Sequence, residues 1–161
     1  MAKKKAGAAP TTILVIDIGG SQVKMLATGE TETRKFRSGK RLTPPRLVAA
    51  VHELADGWTY EAISIGYPGL VGARGPRSEP GNLGPGWVGF NFAAAFGCPV
   101  RILNDAAMQA LGNYDGGRML FLGLGTGVGS ALIADRVIVP PRTGLSVLSG
   151  WDTTSPTLAI S

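Results

Sequence analysis

Hydrophobic positions recur along this chain in short blocks, each closed by a glycine, an asparagine or an aspartate. The first block, Ile13 to Ile18, is apolar except for Asp17 and runs into Gly19, Gly20 and Ser21. Such a run predicts a buried strand over 12–18, and an acid within it is expensive to bury without a partner. Val23 to Thr28 reads as its hairpin partner, and Glu30 to Arg37, with charged residues alternating, as an edge strand. Thr43 followed by Pro44 predicts a helix start with Thr43 as cap. Leu47, Val48, Val51, Leu54 and Ala55 then keep helical spacing up to Gly57. The only histidine, His52, falls off that apolar stripe and reads as a solvated helix residue.

Further along, Ala62 to Gly66 is a fourth strand, ending at the turn signal Tyr67-Pro68-Gly69. Residues 72–91 are rich in glycine and proline and read as a long loop, a kind that is commonly functional. Phe92 to Phe96 predicts a short helix, Val100 to Leu103 a fifth strand, and Ala106 to Leu111 the beginning of another helix. Met119 to Leu124 and Ala131 to Val139 read as two strands of a final hairpin around Gly123 to Ser130. Helices linking strands imply a parallel component, so ligands are expected beyond the carboxyl ends of the strands. Asp17, Pro68-Gly69, Asn104-Asp105 and Gly125-Thr126-Gly127 all fall there, able to line one cleft.

Each of these points has two readings. The Asp17 turn is either a phosphate loop, with Asp17 facing a phosphate-bound metal, or a hairpin with an aspartate cap. The second glycine run lacks both GxGxxG and the Walker pattern, leaving either a phosphate-contacting turn with Thr126 at its tip or a plain glycine turn. Asp105 is either a cap for the helix that follows or a general base taking a hydroxyl proton, with Asn104 binding a neighbouring hydroxyl. Asn82 and Trp87 read as a sugar-binding wall or, equally, Trp87 as a buried anchor for its loop. Lys24 is either a phosphate contact or a solvated strand lysine.

The 161 residues, 44% hydrophobic and 17% charged, can bury a core. The net charge of +5 owes three units to Lys3, Lys4 and Lys5, within residues that read as a disordered tail. The remaining charge of about +2 gives little support to nucleic-acid binding. No segment is of membrane-spanning length, and the single Cys98 excludes an internal disulfide, both of which fit a cytoplasmic protein.

Taken together, Asp17-Ile18-Gly19-Gly20-Ser21 with Lys24, Tyr67-Pro68-Gly69, Asn82-Leu83 with Gly86-Trp87, Leu103-Asn104-Asp105-Ala106 and Gly123 to Ser130 resemble the ROK family of sugar kinases. That family lies within the actin-like ATPase superfamily, and the look is nearest to its polyphosphate and ATP glucokinases. The resemblance implies an α/β fold: an actin-like (ribonuclease H-like) lobe with a mixed sheet and flanking helices, plus the first hairpin of an incomplete second lobe. It implies Asp105 as catalytic base and Asp17 near Mg²⁺, reached directly or through water. Gly19, Gly20, Ser21 and Lys24 would form one phosphate loop and Thr126, Gly127 and Gly129 the other. Asn104, Asn82, Pro68 and Gly69 would contact the sugar. The donor is ATP or polyphosphate and the acceptor glucose or a related hexose. The expected partners are these small molecules, not nucleic acid or membrane.

The resemblance also has a limit. The expected organisation is a tail over 1–11, a lobe over 12–117, the hairpin over 118–140 and an atypical tail over 141–161. The Glu-x-Gly-His type sugar segment and the zinc cysteines of many members are missing. A truncation or frameshift after Pro140 is the expectation, leaving the apolar hairpin without a partner sheet and leaning toward a homodimer. The alternative function is a sugar- or phosphate-binding module without catalysis. A ROK-type repressor is disfavoured, since the first strand begins after a ten-residue tail with no helix-turn-helix before it.

Overall fold

The computed structural model describes residues 12–124, 128–134, 137–139 and 156–160. Three strands open the chain: β1 (Ile13–Ile18), β2 (Gln22–Ala27) and β3 (Arg34–Arg37). Helix α1 (Pro44–Leu54) leads to β4 (Ala62–Tyr67), then the two-residue strands β5 (Val71–Gly72) and β6 (Gly75–Pro76). Helix α2 (Phe92–Phe96), β7 (Val100–Asn104) and α3 (Asp105–Gly112) follow. Last come β8 (Arg118–Leu124), β9 (Val128–Ala134), β10 (Val137–Val139) and β11 (Pro156–Ile160).

The first sheet has the order β3-β2-β1-β4-β7. Strands β1, β2 and β3 are antiparallel neighbours, whereas β4 is parallel to both β1 and β7, so the sheet is mixed. The side-chain period of two decides its faces. Leu14, Ile16 and Ile18 of β1, Val23, Met25 and Ala27 of β2, and Ile63, Ile65 and Tyr67 of β4 are buried in one core with Leu47 and Val51 of α1. Trp58, Trp87, Phe92 and Phe96 close that core. The opposite face of β1 carries Asp17.

A second sheet has the order β10-β9-β8-β11. Its own core joins Met119, Phe121, Ala131 and Ile133 to Ala106, Ala107 and Ala110 of α3. Helix α3 also contacts β4 and β7, so it bridges the two sheets. Its small alanines let it approach the second sheet closely.

Several expectations change. β3 is only four residues long, since Glu30 to Thr33 stay outside the ladder. Thr43 occupies the cap position of α1 but its side chain makes no capping hydrogen bond; Pro44 and Pro45 at the first turn lack amide hydrogens that need a partner. The long loop contains the β5–β6 hairpin. The run Ala131 to Val139 is two antiparallel strands, β9 and β10. The final hairpin is not without partners: α3 covers one face, and β11 pairs in parallel along the free edge of β8, with Ala159 opposite Phe121. The argument for a homodimer from an unpaired hairpin therefore fails. Residues 1–11 and most of 141–161 lie outside the described residues. Among the described residues no helix is long and apolar enough to cross a membrane.

Arg34 on β3 ties the sheet edge to α1. Its Nη1 donates to Leu54 O at the last turn of α1 and to Asp56 O at 2.8 Å, and its guanidinium lies 4.0 Å from the centre of the Trp58 ring. A cation at a helix C-terminus satisfies otherwise unpaired carbonyls. We expect Arg34→Gln to lower stability by about 1–2 kcal/mol, measured by urea unfolding, because it removes both the cap and the ring contact.

Candidate functional site

The carboxyl ends of the parallel strands β1, β4 and β7 converge on one region of the first sheet. Asp17, Gly66 and Leu103 stand side by side in register, followed by Tyr67 opposite Asn104. Asn104 is the residue that joins these ends. Its Oδ1 accepts from the amides of Ala106 and Ala107, at 3.1 and 3.3 Å, and so caps α3. Its Nδ2 donates to Gly69 O at 3.2 Å, pinning the Tyr67-Pro68-Gly69 turn. The cap is thus Asn104, and the reading of Asp105 as the cap is corrected. Asp105 is the first helical residue; its Oδ1 accepts from the neighbouring Ala106 amide at 2.8 Å. A carboxylate is favourably placed in a first helical turn, beside unpaired amides.

Asp17 and Asp105 are electrostatic neighbours. Burial, then the negative charge of Asp105, push the Asp17 carboxyl above its ordinary range, while Lys24 opposes the rise. Lys24 lies directly across from Asp17 in the β1–β2 register and is exposed. Two oxygen-donor side chains at one place suit a hard divalent cation, which takes one or two carboxylates and completes its shell with water and phosphate oxygens. Among the described residues there is no cluster of three or more acidic, histidine or cysteine side chains.

Gly66 makes this approach possible, and reading the strand as simply apolar missed it. A Cβ at Gly66 would stand 2.4 Å from Met108 Cε and 3.3 Å from Asp17 Oδ1. The signal was a glycine inside a strand, which marks a close approach.

The glycine turn is a three-residue connection, Gly19-Gly20-Ser21, in which Gly19 N donates to Gln22 O at 2.9 Å. Neither Gly19 nor Gly20 has a positive φ. Gly19 is required for space, since a Cβ there would stand 2.9 Å from the backbone Gln22 O; one at Gly20 would stand 3.1 Å from Asn82 Nδ2, a close contact with an exposed side chain. Asn82, exposed in the long loop, is therefore beside the glycine turn, together with exposed Ser21. Pro68 and Gly69 are half-buried. Thr126 and Gly127 lie outside the described residues, and Gly129 is within β9, paired with Gly123.

Trp87 is fully buried, with its ring 5.5 Å from that of Tyr67 and its Nε1 donating to Gly84 O at 2.6 Å. It anchors the loop and is not a wall for a sugar. Glu79, which sequence reasoning did not single out, organises the same loop. Oε2 accepts from the amides of Gly86 and Trp87 at 3.0 and 3.1 Å, and Oε1 from Val88 at 3.0 Å. Tyr67 Oη closes the far side by donating to Ser78 O at 2.8 Å. No spacing rule flags a Glu that binds amides seven to nine residues on.

This arrangement can be compared with known proteins. The sequence pattern of the ROK family matches residues 13–150. The chain belongs to the ROK family. It is 29% identical over 144 residues to the polyphosphate glucokinase of Mycobacterium tuberculosis H37Rv, covering 78% of this chain and 54% of that protein. The polyphosphate glucokinase of Mycobacterium leprae is 30% identical over 145 residues, covering 78% of this chain and 44% of that one. Among solved structures, the inorganic polyphosphate/ATP-glucomannokinase of Arthrobacter sp. strain KM superposes with a TM-score of 0.66 at 26% identity, over 83% of this chain and 62% of that one. The ROK glucokinase of Streptomyces griseus, solved with glucose and AMPPNP, shares the fold at a TM-score of 0.65 and 23% identity, over 81% of this chain and 47% of that one. The chain spans about half the length of the relatives it matches. The family match runs ten residues beyond Pro140.

Two outcomes follow for the site's framework. Asn104→Ala should cost about 1–2 kcal/mol in thermal or urea unfolding, through loss of the α3 cap and of the tie to Gly69. Three amide hydrogen bonds hold the Glu79 carboxyl below its ordinary value of 4.5. Such a group stabilises the fold above that value and loses its contribution as pH falls through the lowered one. Hydrogen-exchange protection factors at Gly86 to Val88, taken relative to the intrinsic rate at each pH, should therefore fall as pH drops below 4.5 in the wild type. In Glu79→Gln they should be low already at neutral pH and change little over the same range.

Proposed function

We propose that this chain carries the acceptor-activating site of a ROK sugar kinase, transferring a phosphoryl group from ATP or polyphosphate to glucose or a related hexose. The observation that carries the reading is the juxtaposition of Asp17 and Asp105 at the carboxyl ends of β1 and β7, in a chain of this family. Phosphoryl transfer asks little covalent chemistry of a protein: it needs positioning, charge neutralisation and a base for the attacking hydroxyl.

Asp105 is the proposed base, taking the proton from the sugar hydroxyl as that oxygen attacks phosphorus. Asn104 has one Nδ2 hydrogen left after its bond to Gly69 O, and that hydrogen is proposed to bind a neighbouring sugar hydroxyl. Asn82, Pro68 and Gly69 would complete the sugar contacts. The amides of the Gly19-Gly20-Ser21 turn, with Lys24, would hold donor phosphates, joined by Thr126, Gly127 and Gly129. Mg²⁺, held by Asp17 directly or through water, would neutralise phosphate charge. Residues 12–117 would form the first lobe and 118–140 the first hairpin of a second.

The test is Mg²⁺-dependent phosphorylation of glucose, with ATP and polyphosphate offered separately. Wild type should turn over with at least one donor, and Asp105→Asn should reduce turnover by about 10²–10⁴-fold with glucose binding retained. Unchanged turnover in Asp105→Asn would refute the assignment of the base. Glucose binding by folded wild type without any turnover would favour a binding module.

A further inference from the structure

The connection from β3 into α1 is strongly basic. Arg34, Lys35, Arg37, Lys40, Arg41 and Arg46 fall within residues 34–46, with no Asp or Glu among them. Arg34 is engaged by the α1 carbonyls and Trp58, as described above. Three of the others converge: Arg37, Arg41 and Arg46 line a cavity of about 460 Å³, with Ser38 and the apolar Phe36 and Leu42. Arg46 Nη1 donates to Arg41 O at 3.0 Å, which holds the cavity's chain in place. Neither the Arg37 nor the Arg41 guanidinium has a hydrogen bond or a carboxylate partner among the described residues. Guanidinium groups gathered without counter-charge create a field that attracts an anion, and their fork matches phosphate oxygens two at a time.

The cavity adjoins the glycine turn. Arg37 is opposite Gln22 in the β2–β3 register. Ser38 N donates to Ser21 O at 3.0 Å, and Ser38 Oγ to Gly19 O at 2.7 Å. Whatever the three arginines hold lies next to the turn assigned to donor phosphates.

We propose that the Arg37–Arg41–Arg46 cavity is a subsite for the distal phosphates of a linear condensed phosphate whose terminal group lies at the glycine turn. The placing of the terminal group rests on the kinase reading above; the binding of a condensed phosphate by the cavity does not. A nucleoside triphosphate bound at the turn would present a neutral base and ribose beyond its phosphates, leaving three arginines without counter-charge. A condensed phosphate continues its negative charge into the cavity. Single-stranded nucleic acid fits less well, because it needs exposed rings for its bases to stack on, and Phe36 is half-buried and packed against the core.

The test is equilibrium binding of long-chain polyphosphate and of tripolyphosphate to the full chain. The proteins compared are wild type, R37Q/R41Q, R41Q/R46Q and the charge-matched control R101Q/R118Q, whose two arginines are exposed and lie outside the cavity. Removing two guanidiniums from the cavity should weaken long-chain polyphosphate binding about tenfold, whereas R101Q/R118Q should stay within about twofold of wild type. Tripolyphosphate, too short to fill both places, should be affected less. The Arg37 and Arg41 side chains make no hydrogen bond among the described residues, so R37Q/R41Q should keep the wild-type circular dichroism and melting profile. Wild-type affinity in both double variants, or no binding to wild type, would overturn the proposal. Equal competition by single-stranded RNA of matched charge would also overturn it, reassigning the cavity to nucleic acid. Loss of polyphosphate binding in the variants beside an absence of glucose phosphorylation would uphold the cavity and refute only the kinase reading.

Discussion

The side chain of Asn104 is the interaction on which the candidate site depends. One end of its amide satisfies two amides at the start of α3, and the other holds the carbonyl of Gly69. Three separate stretches of chain meet in that one group: the end of β7, the turn after β4 and the first turn of α3. An amide can serve this way because it carries an acceptor and two donors on one rigid plane. An aspartate there would cap the helix but could not reach the Gly69 carbonyl as a donor. With Asn104 so committed, Asp105 becomes the first residue of the helix, and its position relative to Asp17 is set by the backbone.

Helix α3 has a second constraint at Gly66. Met108 fills the space that a side chain on β4 would occupy, and Asp17 borders the same space. The helix therefore sits low on the first sheet while its alanines face Met119, Phe121 and Ile133 of the second. The division between the two hydrophobic cores passes through this helix.

The long loop owes its form to one carboxylate and one indole. Glu79 gathers the amides of Gly86, Trp87 and Val88, and Trp87 inserts into the core against Tyr67 and Phe92. The loop's polar backbone is satisfied at its exposed edge and its apolar mass is buried inside. That combination brings Asn82 against Gly20 without regular secondary structure.

By itself the sequence determined the order and kind of the elements from β1 to α3, apart from the short β5–β6 hairpin within the long loop. The apolar run of β1, the helical stripe of α1 and the extent of α2 follow from local pattern, which depends on neighbours in the chain; the exposure of Val15 between buried Leu14 and Ile16 does not. It also determined that Asp17, Pro68-Gly69 and Asn104-Asp105 end parallel strands, because strand-helix-strand order dictates that polarity. Only the tertiary structure decided which of two adjacent polar residues caps α3, since both chemistries suit the position and Gly69, 35 residues away, selects Asn104. It decided that Trp87 is an anchor and that Glu79 matters, because both depend on groups brought together by folding. It placed β11 on the edge of β8, a pairing across a long stretch of chain that no local pattern announces. The reason is the same in each case: periodicity is a property of neighbours in sequence, whereas hydrogen-bond partners and close approaches belong to neighbours in space.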